Sequence, residues 1–280
     1  MELNRSVAIP RAGRPRTVEA TPDRKGPPAS VRVGCSGWQY KHWRADFYPE
    51  GLPTTRWFHW YAQTFDTVEI NNSFYRWPSP ETFAKWRDQA PRQFLYAVKA
   101  AKFLTHMKKL KEPEEPVQRT FDHASHLGLH LGPVLYQLPP RWPVNVDRLH
   151  RFLKALPKGR LHTVEFREPS WYTDEIFELL RKYKVALCLH DMHGSATGKV
   201  AVGPFIYVRY HFGTEKYGGR YEDGRLDEWA DWLTGCARRG LQVFTYFNND
   251  TGGHAPRDAV RLRDRIMSRL QIAQPPMREL

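Results

Sequence analysis

Four side chains suited to general acid or base work, Glu69, Glu165, His190 and Asp250, fall late in short runs of β-branched, aromatic and leucine residues. Alternation across an extended chain places residues two apart on one face. Glu69 and Asn71 then oppose Val68 and Ile70, and Glu165 and Arg167 oppose Val164 and Phe166. Arg209 and His211 oppose Val208 and Tyr210, while Tyr246, Asn248 and Asp250 oppose Phe247. Lys99, Gln137, His190 and Asp191 close three further runs. Carboxylates, imidazoles, amides and cations at one set of strand ends are the ingredients of a site that holds an anion and moves a proton.

Each feature has a plainer alternative. A lone Glu165–Arg167 pair is also what a satisfied structural ion pair looks like, but polar ends on nearly every run point to a site. Glu69, Glu165, His190, His211 and Asp250 are ligand types for Zn, Mn or Mg, yet none lies in a tight ligand motif, so a divalent metal is not favoured and no cofactor is named. Gly213, Gly218 and Gly219 with Lys216 and Arg220, between Phe212 and Tyr221, suit a phosphate-binding loop; a plain surface loop explains the glycines nearly as well. Trp38, Tyr40, Tyr75 and Trp77 follow the first two runs, where they stack on a base or sugar ring or simply pack. The sequence has no P-loop, Gly-x-Ser-x-Gly elbow or HExxH, which argues against common nucleotide hydrolases, α/β-hydrolases and zincins.

The elements that must position these residues alternate. Eight strand-like runs cover Val31–Gly37, Thr67–Phe74, Leu95–Ala100, Val134–Leu138, His162–Arg167, Val185–Asp191, Phe205–His211 and Gln242–Asp250. Helical spacing lies between them at Thr55–Phe65, Pro80–Gln89, Val117–Leu127, Val146–Leu156, Thr173–Tyr183 and Leu226–Arg239. Such alternation implies parallel pairing, and eight units predict a single parallel (β/α)8 TIM-like barrel, an α/β fold with its site at the C-terminal mouth. An open doubly wound sheet is the rival and lacks its early Gly-x-Gly-x-x-Gly turn. Met192–Pro204 has no convincing helix, so the barrel is expected to be irregular between strands six and seven.

Residues 1–30 mix Pro, Gly and Arg without periodicity and read as a disordered basic tail; 31–272 form the barrel and 273–280 a C-terminal tail. The formal charge is +13, of which the first thirty residues carry +3. The folded part is therefore basic and expected to meet an anionic partner, DNA or RNA above all. Three separated cysteines, Cys35, Cys188 and Cys236, form neither a zinc pattern nor a disulfide framework and fit a reducing cytoplasmic setting. No secretory h-region or membrane-spanning stretch is expected.

The stretches GCSGWQYKHW, FDTVEINNSFYRWPSPETFAKW, FLYAVKAAKFLTHMKKL, LGPVLYQLPPRW, VEFREPSWY and VFTYFNNDTGGHAPRDA closely resemble the YecE-like family, domain of unknown function 72. The resemblance runs from Val33 to Arg261 and implies a β/α barrel, but no reaction. One departure is that many members place His directly before Gly after the seventh strand, whereas Phe212 separates His211 from Gly213 here.

The leading expectation is a phosphate-bearing ligand, nucleic acid favoured, held or hydrolysed at the mouth in a phosphodiesterase-like or nuclease-like reaction. Arg167, Arg209, Lys216 and Arg220 would hold phosphate, and Asn71, Asn248 and Asn249 would orient the ligand. Glu69, Glu165 or Asp250 would act as base or metal ligand. The alternatives are a sugar-acting enzyme with paired carboxylates Glu69 and Glu165, and a non-catalytic nucleic-acid adaptor.

Overall fold

A computed structural model describes residues 29–192, 196–211 and 218–271. The tails expected over residues 1–30 and 273–280 lie outside the described residues, apart from Ala29 and Ser30. Eight parallel strands are present: β1 Val31–Cys35, β2 Thr67–Ile70, β3 Leu95–Lys99, β4 Leu131–Gln137, β5 His162–Glu165, β6 Ala186–Asp191, β7 Phe205–Tyr210 and β8 Gln242–Phe247. The helices are α1 Trp57–Thr64, α2 Pro80–Gln89, α3 Glu114–Ala124, α4 Val146–Ala155, α5 Asp174–Lys182, α6 Asp223–Arg238 and α7 His254–Leu270. The strand order β1-β8-β7-β6-β5-β4-β3-β2 makes a nearly closed barrel. As expected, the described residues between β6 and β7 contain no helix.

Side-chain oxygens fix several helix starts. Ser79 accepts from Thr82 N at 3.3 Å with Pro80 in the first turn of α2, Asn145 accepts from Arg148 N at 2.9 Å, and Thr173 from Ile176 N at 3.3 Å. All six residues of β6 and of β7 are buried, because one face meets helices and the other the lumen. The lumen floor is a separate apolar cluster that includes Ala97, Leu135, Cys188, Phe205, Tyr207 and Tyr246. Its upper boundary is phenolic. Tyr207 OH donates to Glu69 Oε2 at 2.7 Å, and Tyr246 OH lies 2.7 Å from Thr67 Oγ1.

The barrel closes without a ladder between β1 and β2. Tyr61 from α1 replaces it: its hydroxyl accepts from Cys35 N–H at 2.9 Å and donates to Thr67 C=O at 2.9 Å. Gly34 permits this approach, since a Cβ there would stand 2.4 Å from Thr67 O.

Several expected strands end early. The chain leaves β2 and β5 for single turns at Asn72–Phe74 and Pro169–Trp171, although side-chain alternation continues past Ile70 and Glu165. β4 instead starts three residues before the expected Val134, because Gly132 allows close approach to Tyr96 O. α7, seventeen residues long, is missing from the sequence expectation; its many arginines mask a buried face of Ala259, Leu262 and Ile266.

Candidate functional site

Directly above the lumen floor, two carboxylates converge on one guanidinium. Arg209 reaches Glu69 Oε1 through Nε at 3.1 Å and Nη2 at 2.9 Å, and Glu165 Oε2 through Nη1 at 2.9 Å. Ser36 Oγ adds a 2.6 Å bond to Glu69 Oε1, and Arg167 Nε binds the other oxygen of Glu165. Both carboxylates are 0% exposed and Arg209 1%. Burial alone would raise the Glu165 pKa, but Arg167 and Arg209 outweigh it and hold the carboxyl well below its usual range. Two carboxylates facing two guanidiniums balance the charge, so this layer is stable only as a set.

The layer is positioned by strand register. His190 stands beside Arg209 on β6, and Gln137 beside Glu165 on β4. His190 Nδ1 lies 3.0 Å from Thr197 Oγ1. Arg167 continues outward, with Nη2 3.2 Å from His211 Nε2 and Nη1 2.9 Å from the Met192 thioether. A thioether is a weak acceptor, so Nη1 is the least strongly engaged of the three guanidinium nitrogens. Burial, with Arg209 and Arg167 nearby, lowers the His211 pKa well below the usual value and keeps the ring neutral. Its Nδ1 lies 3.0 Å from the Asn248 amide, and Asn71 Oδ1 lies 3.4 Å from Arg209.

Lys99 completes the mouth from the end of β3. Its Nζ sits 4.1 Å from the centre of the Phe74 ring, and among the described residues it has no ion-pair partner, since Glu69 and Glu165 are held by arginines. Burial lowers its pKa to about 7, Arg209 and Arg167 acting with burial, Glu165 and Glu69 against it. His106, in a wide π-type turn at Phe103–Met107, packs its ring 5.0 Å from Phe74. Burial and Lys99 bring its pKa down to about 4.

Other expected site residues are elsewhere. Trp38 is core, packed edge-on against Phe58 and Trp86. Arg209 is too deep and too fully engaged to hold phosphate directly. Asp191 leaves the mouth: its alternate position on β6 turns it outward to Arg225 and the Trp229 indole. Asn249 is buried and bonded to Gly219 O at 2.9 Å and Asp258 at 2.8 Å, tying the end of β8 to α7 rather than orienting a ligand. Asp250 stands half-buried 3.5 Å from His42, its pKa raised by burial. Arg220 is exposed and pairs with Asp223 at 3.1 Å, while Lys216 lies outside the described residues. Among the described residues, no three His, Cys, Asp or Glu side chains form a group able to hold a metal ion.

Tyr75, by contrast, is 73% exposed and lines a groove of about 510 Å³ between the segments that follow β2 and β3. Trp77 and Phe103 share the lining, with Trp77 stacked on His123 at 5.4 Å. Arg76, Lys102 and Arg119 supply cations, and among the described residues the lining holds no Asp or Glu. Phe74 belongs both to this groove and to the contact with Lys99, so groove and mouth meet at one ring. The sequence reading anticipated Tyr75 and Trp77 but not the cations, which come from two loops and α3 with no shared period; the KAAKFLTHMKKL segment was the available signal.

Fold and site together define a parallel β/α barrel with a buried charged layer at the C-terminal ends of its strands and a cation-lined groove beside it. The chain belongs to the family described as protein of unknown function DUF72, whose profile matches residues 32–279. It is similar to UPF0759 protein YunF of Bacillus subtilis (strain 168), at 23% identity over 263 residues, 80% of this chain and 90% of that one. It is also similar to UPF0759 protein YecE of Escherichia coli (strain K12), at 30% identity over 113 residues, 40% of this chain and 42% of the relative. A crystal structure of a DUF72 family protein from Thermotoga maritima MSB8 superposes with a TM-score of 0.76 at 24% identity, covering 84% of this chain and 98% of that one. One from Enterococcus faecalis V583 gives 0.72 at 15% identity, covering 89% and 99%. These likenesses carry the fold. Among the described residues, no helix is long and apolar enough to cross a membrane.

Proposed function

We propose that the protein binds a phosphate-bearing ligand at the barrel mouth, and that this ligand is a nucleic-acid strand entering along the adjoining groove. The observation that carries the proposal is the groove lining: cations from Arg76, Lys102 and Arg119, exposed aromatic faces from Tyr75 and Phe103, and no carboxylate among the described residues. Stacking on such rings contributes about 1–3 kcal/mol per base without reading sequence, while the cations meet phosphates. The overall charge of +13 supports the same reading by raising the encounter rate with polyanions. Arg167, whose Nε holds Glu165 and whose Nη1 meets the weakly accepting Met192 thioether, is the phosphate contact we assign to the mouth itself. The paired-carboxylate sugar reading is less well supported, because such chemistry needs a carboxylic acid with a raised pKa and Glu165 is shifted the other way.

Labelled single-stranded DNA and RNA and duplex DNA, titrated with purified protein at low and moderate salt, test this. Single strands are expected to bind with a steep salt dependence, about 0.7 log units per phosphate contact. Replacing Lys102 and Arg119 together by alanine should reduce that slope by about 1.4. Absence of binding at low salt, or an unchanged slope in the double variant, would overturn the proposal. Binding with no change to the strand marks an adaptor rather than an enzyme.

A further inference from the structure

We propose that Lys99 is a nucleophilic amine that condenses with the aldehyde of a phosphorylated sugar held in the mouth, forming a Schiff base. The inference rests on the reading above only in placing a phosphate-bearing ligand there; it adds covalent chemistry that binding alone does not require.

Geometry singles out this lysine. It is on the inward face at the C-terminal end of β3, where barrel enzymes place reacting groups. The carboxylates that would otherwise pair with it, Glu69 from β2 and Glu165 from β5, are saturated by Arg209 and Arg167. Phe74 covers it from the segment after β2, and His106, in the turn after β3, packs edge-on against the same ring. Desolvation beside two guanidiniums keeps a large fraction of the amine unprotonated near neutrality, the condition for attack on a carbonyl. Arg167, at the outer side of the same layer, is placed to hold the sugar's phosphate.

The step balances. The amine lone pair forms a bond to the aldehyde carbon, and the carbonyl oxygen takes up the proton that nitrogen loses, giving a carbinolamine. Loss of its hydroxyl as water, with one proton drawn from solvent, leaves a cationic iminium. No oxidant or reductant is needed. The new positive charge forms near Glu69 and Glu165, which favour it, and near Arg209 and Arg167, which oppose it. Condensation therefore turns a neutral amine into a fixed cation, and the layer beneath gains one positive charge for as long as the iminium lasts.

The test traps the iminium with sodium cyanoborohydride, which reduces it to a stable secondary amine, in the full-length protein. One arm uses ribose 5-phosphate; the other uses an oligonucleotide with a single abasic site, whose ring-opened sugar carries an aldehyde. Intact mass and peptide mapping should place the adduct on Lys99, with a trapping rate that rises as pH passes through about 7. The adduct should fall at least about tenfold in Lys99→Arg, which keeps the cation but not the nucleophile. Mapping on the unaltered protein keeps the result interpretable if that variant fails to fold. An adduct in only one arm identifies the source of the aldehyde. Trapping at Lys99 no faster than at exposed Lys102, in both arms, would overturn the inference. Strand binding without trapping refutes this step and leaves the groove reading intact; trapping with ribose 5-phosphate in a protein that binds no strand does the reverse.

Discussion

Arg209 and Arg119 are both cations near the barrel mouth, but their surroundings are opposite. Arg209 is enclosed by two buried carboxylates and has every strong donor engaged, whereas Arg119 is exposed on α3 in a lining without a carboxylate among the described residues. The buried charges hold each other, whereas the groove cations share a lining that holds no carboxylate among the described residues. Net charge alone does not separate these roles; proximity of a buried counter-ion does. Removing a cation should therefore damage stability in the first place and binding in the second.

The largest effect is expected for Arg209→Met, which strands two carboxylates in the lumen. A loss of about 3–5 kcal/mol in urea unfolding follows from leaving such a set unpaired. A loss below about 1 kcal/mol would mean that water or rearrangement satisfies Glu69 and Glu165, and the contrast between the regions would collapse. Acid should reach the same layer next. The folded pKa of Glu165 lies below its unfolded value, so its contribution is fully present above about pH 4.3 and is lost as pH falls toward the folded value. Glu165→Gln removes this dependence and should flatten the acid limb of a stability–pH curve. If the variant also retains full activity on whatever substrate is found, Glu165 is structural rather than reactive. The smallest effect on the fold belongs to Tyr75→Ala in the groove. It should weaken strand binding by about 1–3 kcal/mol while leaving stability within about 0.5 kcal/mol, as measured by paired binding and unfolding titrations.

Much of the lumen was legible because the period of a strand is two. Given Glu69 inward, Asn71 follows, and the same step joins Arg209 to His211 and Glu165 to Arg167. The rule fails where the chain stops being a strand. Asn249 and Asp250 lie beyond Phe247, in a turn leading to α7, so alternation no longer fixes their direction, and Asn249 serves Asp258. Asp191 shows a different limit. It is polar and at a strand end like His190, but it faces outward, where Arg225 and the Trp229 indole satisfy it from α6. Polar character at a strand end does not reveal whether the partner is a ligand or a helix. Trp38 fails for a related reason, since a ring after a strand stacks on whatever lies nearest, here Phe58 and Trp86. The groove cations were illegible because Arg76, Lys102 and Arg119 converge only through tertiary packing.

The missing ladder between β1 and β2 bears on how the chain is made. β1 takes its backbone partners from β8, with Val31 opposite Val243, while on its far edge the Tyr61 hydroxyl, the close approach at Gly34, and side-chain contacts of Arg32 with Asp66 and Ser36 with Glu69 bring it to β2. During synthesis, β1 therefore has no backbone sheet partner among the described strands until β8 follows it. Such long-range closure is slow and keeps an apolar edge uncovered in the interval. The Tyr61 hydroxyl, only 26 residues along the chain from Cys35, is by contrast a contact available to β1 before β8 is made.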